Sequence, residues 1–192
     1  MDKIYIFGYG SLICKEAREK TSKTKKAIPV LVKNLKRGWY LKSPPEMGIM
    51  GLGIKEEKGM RCNGVVFEIS KKDLNSFDKR EIGYYRKKIE NKDITVLEAK
   101  SKVKGDVFVY IPKKINLPSK KYPLAQSYID VILTGCFSFG DKFTKEFIQG
   151  TDGWSNHWIN DRENPRYPRA LKSPNIKKIN RYLKNLNHLS NL

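Results

Sequence analysis

Two features of this chain have residue types and spacing that could do chemistry: a glutamate set between cationic and aromatic neighbours, and a loop bracketed by glycines. Glu81 closes the run DKRE and precedes Gly83, Tyr84 and Tyr85. A carboxylate beside aromatic rings is partly desolvated, which raises its pKa toward the range of a general base. The same residue also fits a solvated helix face with Asp78, Lys79 and Arg80 as partners, so on these residues alone both readings stand. The loop is GYGSL, Gly8 to Leu12, which follows the apolar run Ile4 to Phe7. Glycines at 8 and 10 permit a sharp turn and close approach to backbone N–H groups, a setting suited to a carboxylate, a phosphate or a developing oxyanion.

Other chemistries lack their residues. GYGSLI has Ile13 where a dinucleotide-binding loop needs its third glycine, and no GK[ST] ending marks a phosphate loop. Cys14, Cys62 and Cys136 are odd in number, far apart and in no CxxC pair, which reads as buried thiols in a reducing compartment and not as a zinc site or a disulfide frame. His157 and His188 are the only histidines, and Cys14 is flanked by an apolar residue, so a Cys–His nucleophile pair has little support. No metal ligand set is assigned.

The elements that must position Glu81 and the loop follow from patterning. Ile4 to Phe7 reads as a buried strand, Lys15 to Lys20 as a short helical turn, and Ile28 to Lys42 as one or two strands with a bend or bulge at Gly38. Ile49 to Ile54 suggests a short strand, Glu56 to Asn63 a hairpin connection, and Gly64 to Ile69 a strong strand. Ser70 with Asp73 three positions on fits a helix N-cap, and Gly83 ends that helix. YYRKKIE, DITVLEAK and GDVFVYIP read as strands, Leu124 to Cys136 as a helix, FTKEFIQG as a helical turn or two, and Thr151 to Pro174 as an ordered loop. Behind Ser173-Pro174, the residues Ile176, Ile179, Leu183, Leu186 and Leu189 recur at helical spacing.

At 192 residues, with 39% hydrophobic and 31% charged residues, the chain has the composition of one globular domain with an appended segment. The net charge of +19 invites a polyanion-binding reading. The basic residues are mostly lysine and spread along the whole length, however, and the run KTSKTKK lacks interleaved aromatics, so a generally basic surface is expected and no specific nucleic-acid partner. No apolar run is long enough for a transmembrane helix, and the N-terminal apolar stretch is broken by glycines without a small-residue cleavage site. The expectation is a cytoplasmic protein with no membrane partner.

The order of segments adds to this. A strand running into GYGSL, then GVVFEIS with LNSFDKREIGYYR, then VFVYIP, a Pro-Ser loop and YIDVILTG, together resemble the γ-glutamylcyclotransferase family, which includes the AIG2-like and ChaC-like proteins. The likeness spans roughly Lys3 to Gly140. It implies an α+β fold, a single domain over 1–140 with a mixed, barrel-like β-sheet and a few flanking helices. Residues 141–192 would then form a loop-rich extension and a C-terminal amphipathic helix packed on the same domain.

The resemblance implies roles residue by residue. Glu81 falls on the catalytic position at the end of the family's (L/F)DxxE pattern. Gly8, Tyr9, Gly10, Ser11 and Leu12 match the loop that holds the γ-glutamyl group. Tyr110 matches a binding-site tyrosine, and Tyr85 is a candidate for the pocket wall. Arg162, in the extension, is a candidate carboxylate contact if that loop lies over the pocket; the alternative is that Trp154 and Trp158 anchor the extension on the core. The implied activity is cyclisation of a small-molecule γ-glutamyl substrate to 5-oxoproline with release of an amine or peptide, a lyase or acyltransferase type of reaction that needs no cofactor. A fold of this kind retained as a small-molecule-binding protein, or a basic nucleic-acid-associated protein, are the competing readings. The likeness leaves the oligomeric state open.

Overall fold

The computed structural model describes residues 3–154 and 157–184. Its organising element is a long hairpin. Strand β2 (Ile28–Lys42) and strand β3 (Met50–Ile69) pair antiparallel from Lys42↔Met50 to Ile28↔Val66. A straight strand of 20 residues would reach about 66 Å, several times the radius of a domain of this size. The hairpin therefore bends, and register shifts between Lys33 and Leu35 and between Trp39 and Leu41 mark where.

Two expectations are corrected here. Glu56 to Asn63 is not a connection between strands but the interior of β3, where the residues after Glu56 bulge out opposite Asn34. The turn-like composition has a local cause. Gly59 and Asn34 both take positive φ, +84° and +60°, and the Gly59 N–H donates to Asn34 Oδ1 at 3.1 Å. The bulge placed at Gly38 falls beside it, since Gly38 pairs in register with Gly53.

Strand β1 (Ile4–Gly8) lies antiparallel to β3, with Gly8 opposite Val65, and parallel to a later strand (Asp106–Pro112). Between them in the chain come helix α1 (Lys15–Glu19), helix α2 (Lys71–Arg80) and strands β4 (Tyr84–Ile89) and β5 (Ile94–Val96); the later strand is β6. The spatial order is β4-β6-β1-β3-β2-β5, a mixed sheet curled into a half-barrel. With its flanking helices the fold is α+β. DITVLEAK contributes only three residues of strand, after a short 3-10 turn.

Helix α2 begins as its sequence requires: the Ser70 hydroxyl accepts the Asp73 N–H at 3.2 Å, and buried Phe77 pins the helix to Phe67 of β3. The hollow of the sheet is filled by helix α3 (Gln126–Phe137), apolar around most of its circumference and buried at ten of its residues. It starts two residues later than its periodicity suggests, because Leu124–Ala125 form strand β7. Helix α4 (Gly140–Gln149) is longer than the turn or two expected.

The segment after α4 is mostly irregular, as its composition indicates, but two short strands tie it down. Strand β8 (Thr151–Asp152) pairs with β2 and strand β9 (Trp158–Ile159) with β7. Arg37, 1% exposed, reinforces the first junction: its guanidinium donates to the Asn63 and Phe147 carbonyls at 2.6 and 2.9 Å and to Thr151 Oγ1 at 2.8 Å. Trp154 packs edge-on against Trp39 at 5.3 Å, and the Trp158 Nε1–H donates to Gln126 Oε1 at 3.0 Å, so both tryptophans act as anchors. Helix α5 (Ile176–Lys184) buries Ile179, Tyr182 and Leu183; Leu186, His188 and Leu189 lie outside the described residues. Cys14, Cys62 and Cys136 are buried free thiols. No described helix is long and apolar enough to cross a membrane.

Candidate active site

Strand β1 delivers the GYGSL loop to one end of the hollow, and the C-terminus of α2 arrives at the same place. After Gly8 the chain turns through Gly10 into a single 3-10 turn, Ser11–Ile13, closed by the Ile13 N–H donating to the Gly10 carbonyl at 2.9 Å. In such a turn the N–H groups of Ser11 and Leu12 have no acceptor within the turn itself. A β-carbon added at Gly10 would sit 3.3 Å from the Tyr128 hydroxyl, a tight contact, and 3.5 Å from Leu52 Cβ. One added at Gly8 would sit 2.7 Å from Leu12 Cβ.

Glu81 caps α2. Its ψ of 52° leaves the helical region, so the chain departs from the helix after it, while its N–H still donates to the Phe77 carbonyl at 3.0 Å. The carboxylate lies 3.0 Å from Arg80 Nε in a largely buried pair, with side chains 16% and 4% exposed. The remaining nitrogens of Arg80 donate to the Ala17 carbonyl at 3.0 Å, Thr21 Oγ1 at 2.6 Å and Ser11 Oγ at 3.2 Å. One guanidinium thus ties the N-terminal loop to the carboxylate. Burial pushes the Glu81 pKa up, and the positive charges of Arg80 and Arg169, with the Arg80 hydrogen bond, hold it partly down.

Two adjoining spaces open on Glu81. The wider, about 160 Å³, has an apolar wall from Leu41, Met47, Ile49 and Ile82 and a polar side from Ser11, Tyr167 and Arg169. The narrower, about 30 Å³, is a recess beneath Tyr9, Gly10, Ser11 and Leu12. Ser11, Glu81, Tyr84 and Tyr128 line both. Tyr84 donates to the Leu52 carbonyl at 2.6 Å, and Tyr9 donates to the Tyr110 carbonyl at 2.5 Å. Burial raises the pKa of Tyr9, Tyr84 and Tyr128, so all three hydroxyls stay protonated at neutral pH.

The structure brings together Glu81, Tyr9, Gly10, Ser11, Leu12 and Tyr110. Gly8 stands apart: it is paired in the sheet, and its missing side chain makes room for Leu12. Tyr110 lines the recess but turns its hydroxyl to Asp78 Oδ1 at 2.8 Å, so it braces α2. Tyr85 is not in the wall. Alternation along β4 points Tyr84 inward and leaves Tyr85 43% exposed. Arg162 is not over the cavity either, because Asp130 on α3 holds it with two bonds, at 2.7 and 2.9 Å. Sequence reasoning missed Arg80, Tyr84, Tyr128, Tyr167 and Arg169 as site residues. Only the Tyr84–Tyr85 pair carried a local signal, and it did not say which ring faces in. Among the described residues no group of three or more His, Cys, Asp or Glu could hold a metal ion.

The sequence matches the family described as gamma-glutamyl cyclotransferase, AIG2-like, over residues 6–128. No curated protein matches the sequence. The fold is similar to that of an uncharacterized protein from Homo sapiens, with a TM-score of 0.64 at 16% identity, covering 85% of this chain and 98% of that one. It is similar to a structure described as a gamma-glutamyl cyclotransferase, with a TM-score of 0.63 at 15% identity over 85% and 97% of the two chains. YkqA from Bacillus subtilis is also similar, with a TM-score of 0.56 at 18% identity over 78% of this chain and 54% of that one.

Proposed function

The chain belongs to the gamma-glutamyl cyclotransferase, AIG2-like family, and we propose that it is an enzyme that cyclises the γ-glutamyl group of a small amide or peptide, with Glu81 as its base. The observation that supports this most is the partly buried Glu81 carboxylate, raised in pKa, at the junction of the narrow recess and the wide cavity.

A γ-glutamyl substrate carries its own nucleophile. Its α-amino group attacks the γ-carbonyl carbon, a C–N bond forms, the five-membered ring closes, and the amide C–N bond breaks to release an amine or peptide with 5-oxoproline. Because nucleophile and carbonyl belong to one molecule, holding the chain in a bent conformation supplies much of the rate enhancement. Three proton movements remain. Glu81, ionised, takes a proton from the α-ammonium group, the protonated Glu81 returns one to the departing nitrogen, and the second proton shed by the ring nitrogen on closure passes through solvent to the released amine. A raised pKa suits both halves, since an ordinary carboxylate is too weak a base for the first.

The N–H groups of Ser11 and Leu12 are suited to hold the α-carboxylate or the oxyanion of the tetrahedral intermediate. Ser11 is not a nucleophile in this scheme. Its oxygen accepts from Arg80, which fixes the loop relative to Glu81. The test is 5-oxoproline release from a panel of γ-glutamyl peptides and amines, run beside Glu81→Gln. Turnover confined to the protein carrying Glu81 supports the mechanism, and equal turnover in the variant sinks it.

A further inference from the structure

Arg80 and Arg169 both line the wide cavity, but only Arg80 is held by protein acceptors. Arg80 spends four of its five N–H donors on Glu81, Ser11, Thr21 and Ala17. Arg169, half-buried, forms no hydrogen bond or ion pair among the described residues, and it acts on Glu81 only through space. The same cavity has its apolar wall from Leu41, Met47, Ile49 and Ile82. A guanidinium lining a cavity with no hydrogen-bonded partner is an incomplete arrangement, and a planar fork of donors is completed best by a carboxylate. Arg169 lines the wide cavity and not the recess beneath Tyr9 to Leu12, so it faces the part of a bound molecule that lies beyond Glu81. It also falls outside residues 6–128, the part shared with the family.

We propose that Arg169 binds a carboxylate on the leaving half of the substrate, so that the protein selects γ-glutamyl amino acids or peptides with an apolar side chain over γ-glutamyl amines. This rests on the cyclotransferase reading of Glu81, which places the γ-glutamyl group in the recess. The apolar wall takes the side chain next to the scissile amide, and Arg169 takes the carboxylate beyond it. Occupation of Arg169 also neutralises a charge that restrains the Glu81 pKa, so the right leaving group strengthens the base at the moment it is needed.

The probes are γ-glutamyl-leucine and γ-glutamyl-isopentylamide, which differ only by the leucine carboxylate. Their binding is measured by calorimetry on the full-length chain carrying Glu81→Gln, so that neither is consumed, and again with Arg169→Ala or Arg169→Lys added. The expected result is an affinity ratio of about 10 to 100 in favour of the leucine conjugate, as for a charge-assisted hydrogen bond, collapsing toward unity with Arg169→Ala and partly kept with Arg169→Lys. A ratio near unity before Arg169 is changed, a ratio that survives Arg169→Ala, or no binding of either probe overturns the proposal. Equal weakening of both probes by Arg169→Ala also overturns it, since the lost contact is then not one to the leucine carboxylate. The underlying reading is scored separately by 5-oxoproline release from the unsubstituted protein. Preference without release sinks the cyclotransferase, and release without preference sinks the role of Arg169.

Discussion

Arg80 and Glu81, adjacent in the chain, face each other across 3.0 Å at the end of α2. Consecutive helical residues point about 100° apart, yet these two side chains meet at the C-cap of α2, where the chain leaves the helical region with a ψ of 52° after Glu81. Since Arg80 also donates to Ser11, Thr21 and the Ala17 carbonyl, the ion pair works as a positioning device between the base and the substrate loop.

Replacing the base should separate activity from stability. Glu81→Gln is expected to lower turnover by about 10²- to 10⁴-fold, the usual worth of a positioned general base. Burial raises the folded-state pKa of Glu81, so the folded chain binds its proton more tightly than the unfolded chain does. Ionisation therefore costs stability as pH rises through the folded pKa, and that cost is absent below the ordinary glutamate pKa of about 4.3. Glu81→Gln, a mimic of the neutral form, should match or exceed the parent Tm at pH 7, with the difference shrinking toward pH 4. A clear fall in Tm at pH 7 would contradict this.

The pH dependence of catalysis has its own sign. Only ionised Glu81 accepts the substrate proton, so kcat/KM should climb with pH along a limb whose midpoint lies above the ordinary glutamate value. Arg169 holds that pKa down through space. Arg169→Ala is therefore expected to move the midpoint upward, and a downward shift in the measured profile would count against the assignment.

What could be read in the chain follows from the range of each signal. The strand into GYGSL, the Ser70 cap of α2 and the apolar α3 depend on neighbours in sequence, and the local pattern placed all three. The local pattern cuts strand β3 short because Gly59 and its charged neighbours look like a turn, whereas the structure absorbs them in a bulge opposite Asn34. The local sequence does not distinguish Tyr84 from Tyr85, because alternation fixes the inward face only once β4 is registered on β6. Tyr167 and Arg169 reach the cavity from residues far along the chain, a contact that no periodicity within one segment reports.

The two loop glycines should fail in different ways. A side chain at Gly10 meets Leu52 at an ordinary distance and the Tyr128 hydroxyl more tightly, at 3.3 Å, so Gly10→Val should fold once that ring gives by a few tenths of an ångström and should lose substrate binding, seen as a rise in KM of tenfold or more. At Gly8 the new β-carbon would press on Leu12 at 2.7 Å, and Gly8→Ala should instead cost about 1–3 kcal/mol of stability, as overpacking of a filled site does. A folded Gly10→Val protein with unchanged KM would remove the loop from the site.

Arg162 belongs to stability and not to the substrate. It forms a two-bond fork on Asp130, whose side chain is only 3% exposed and also accepts from Gln126 Nε2 at 2.7 Å. Arg162→Ala strands that carboxylate, a change that costs about 3–5 kcal/mol in comparable buried pairs and so about 6–20 °C in Tm for a domain of this length. KM for a γ-glutamyl substrate should stay within about twofold, because Arg162 lines a separate 120 Å³ cavity away from Glu81. Most of the penalty comes from the charge left behind. Arg162→Leu combined with Asp130→Leu should therefore be more stable than Arg162→Ala, and a double variant no better than the single would assign the loss to packing of the 157–174 segment instead.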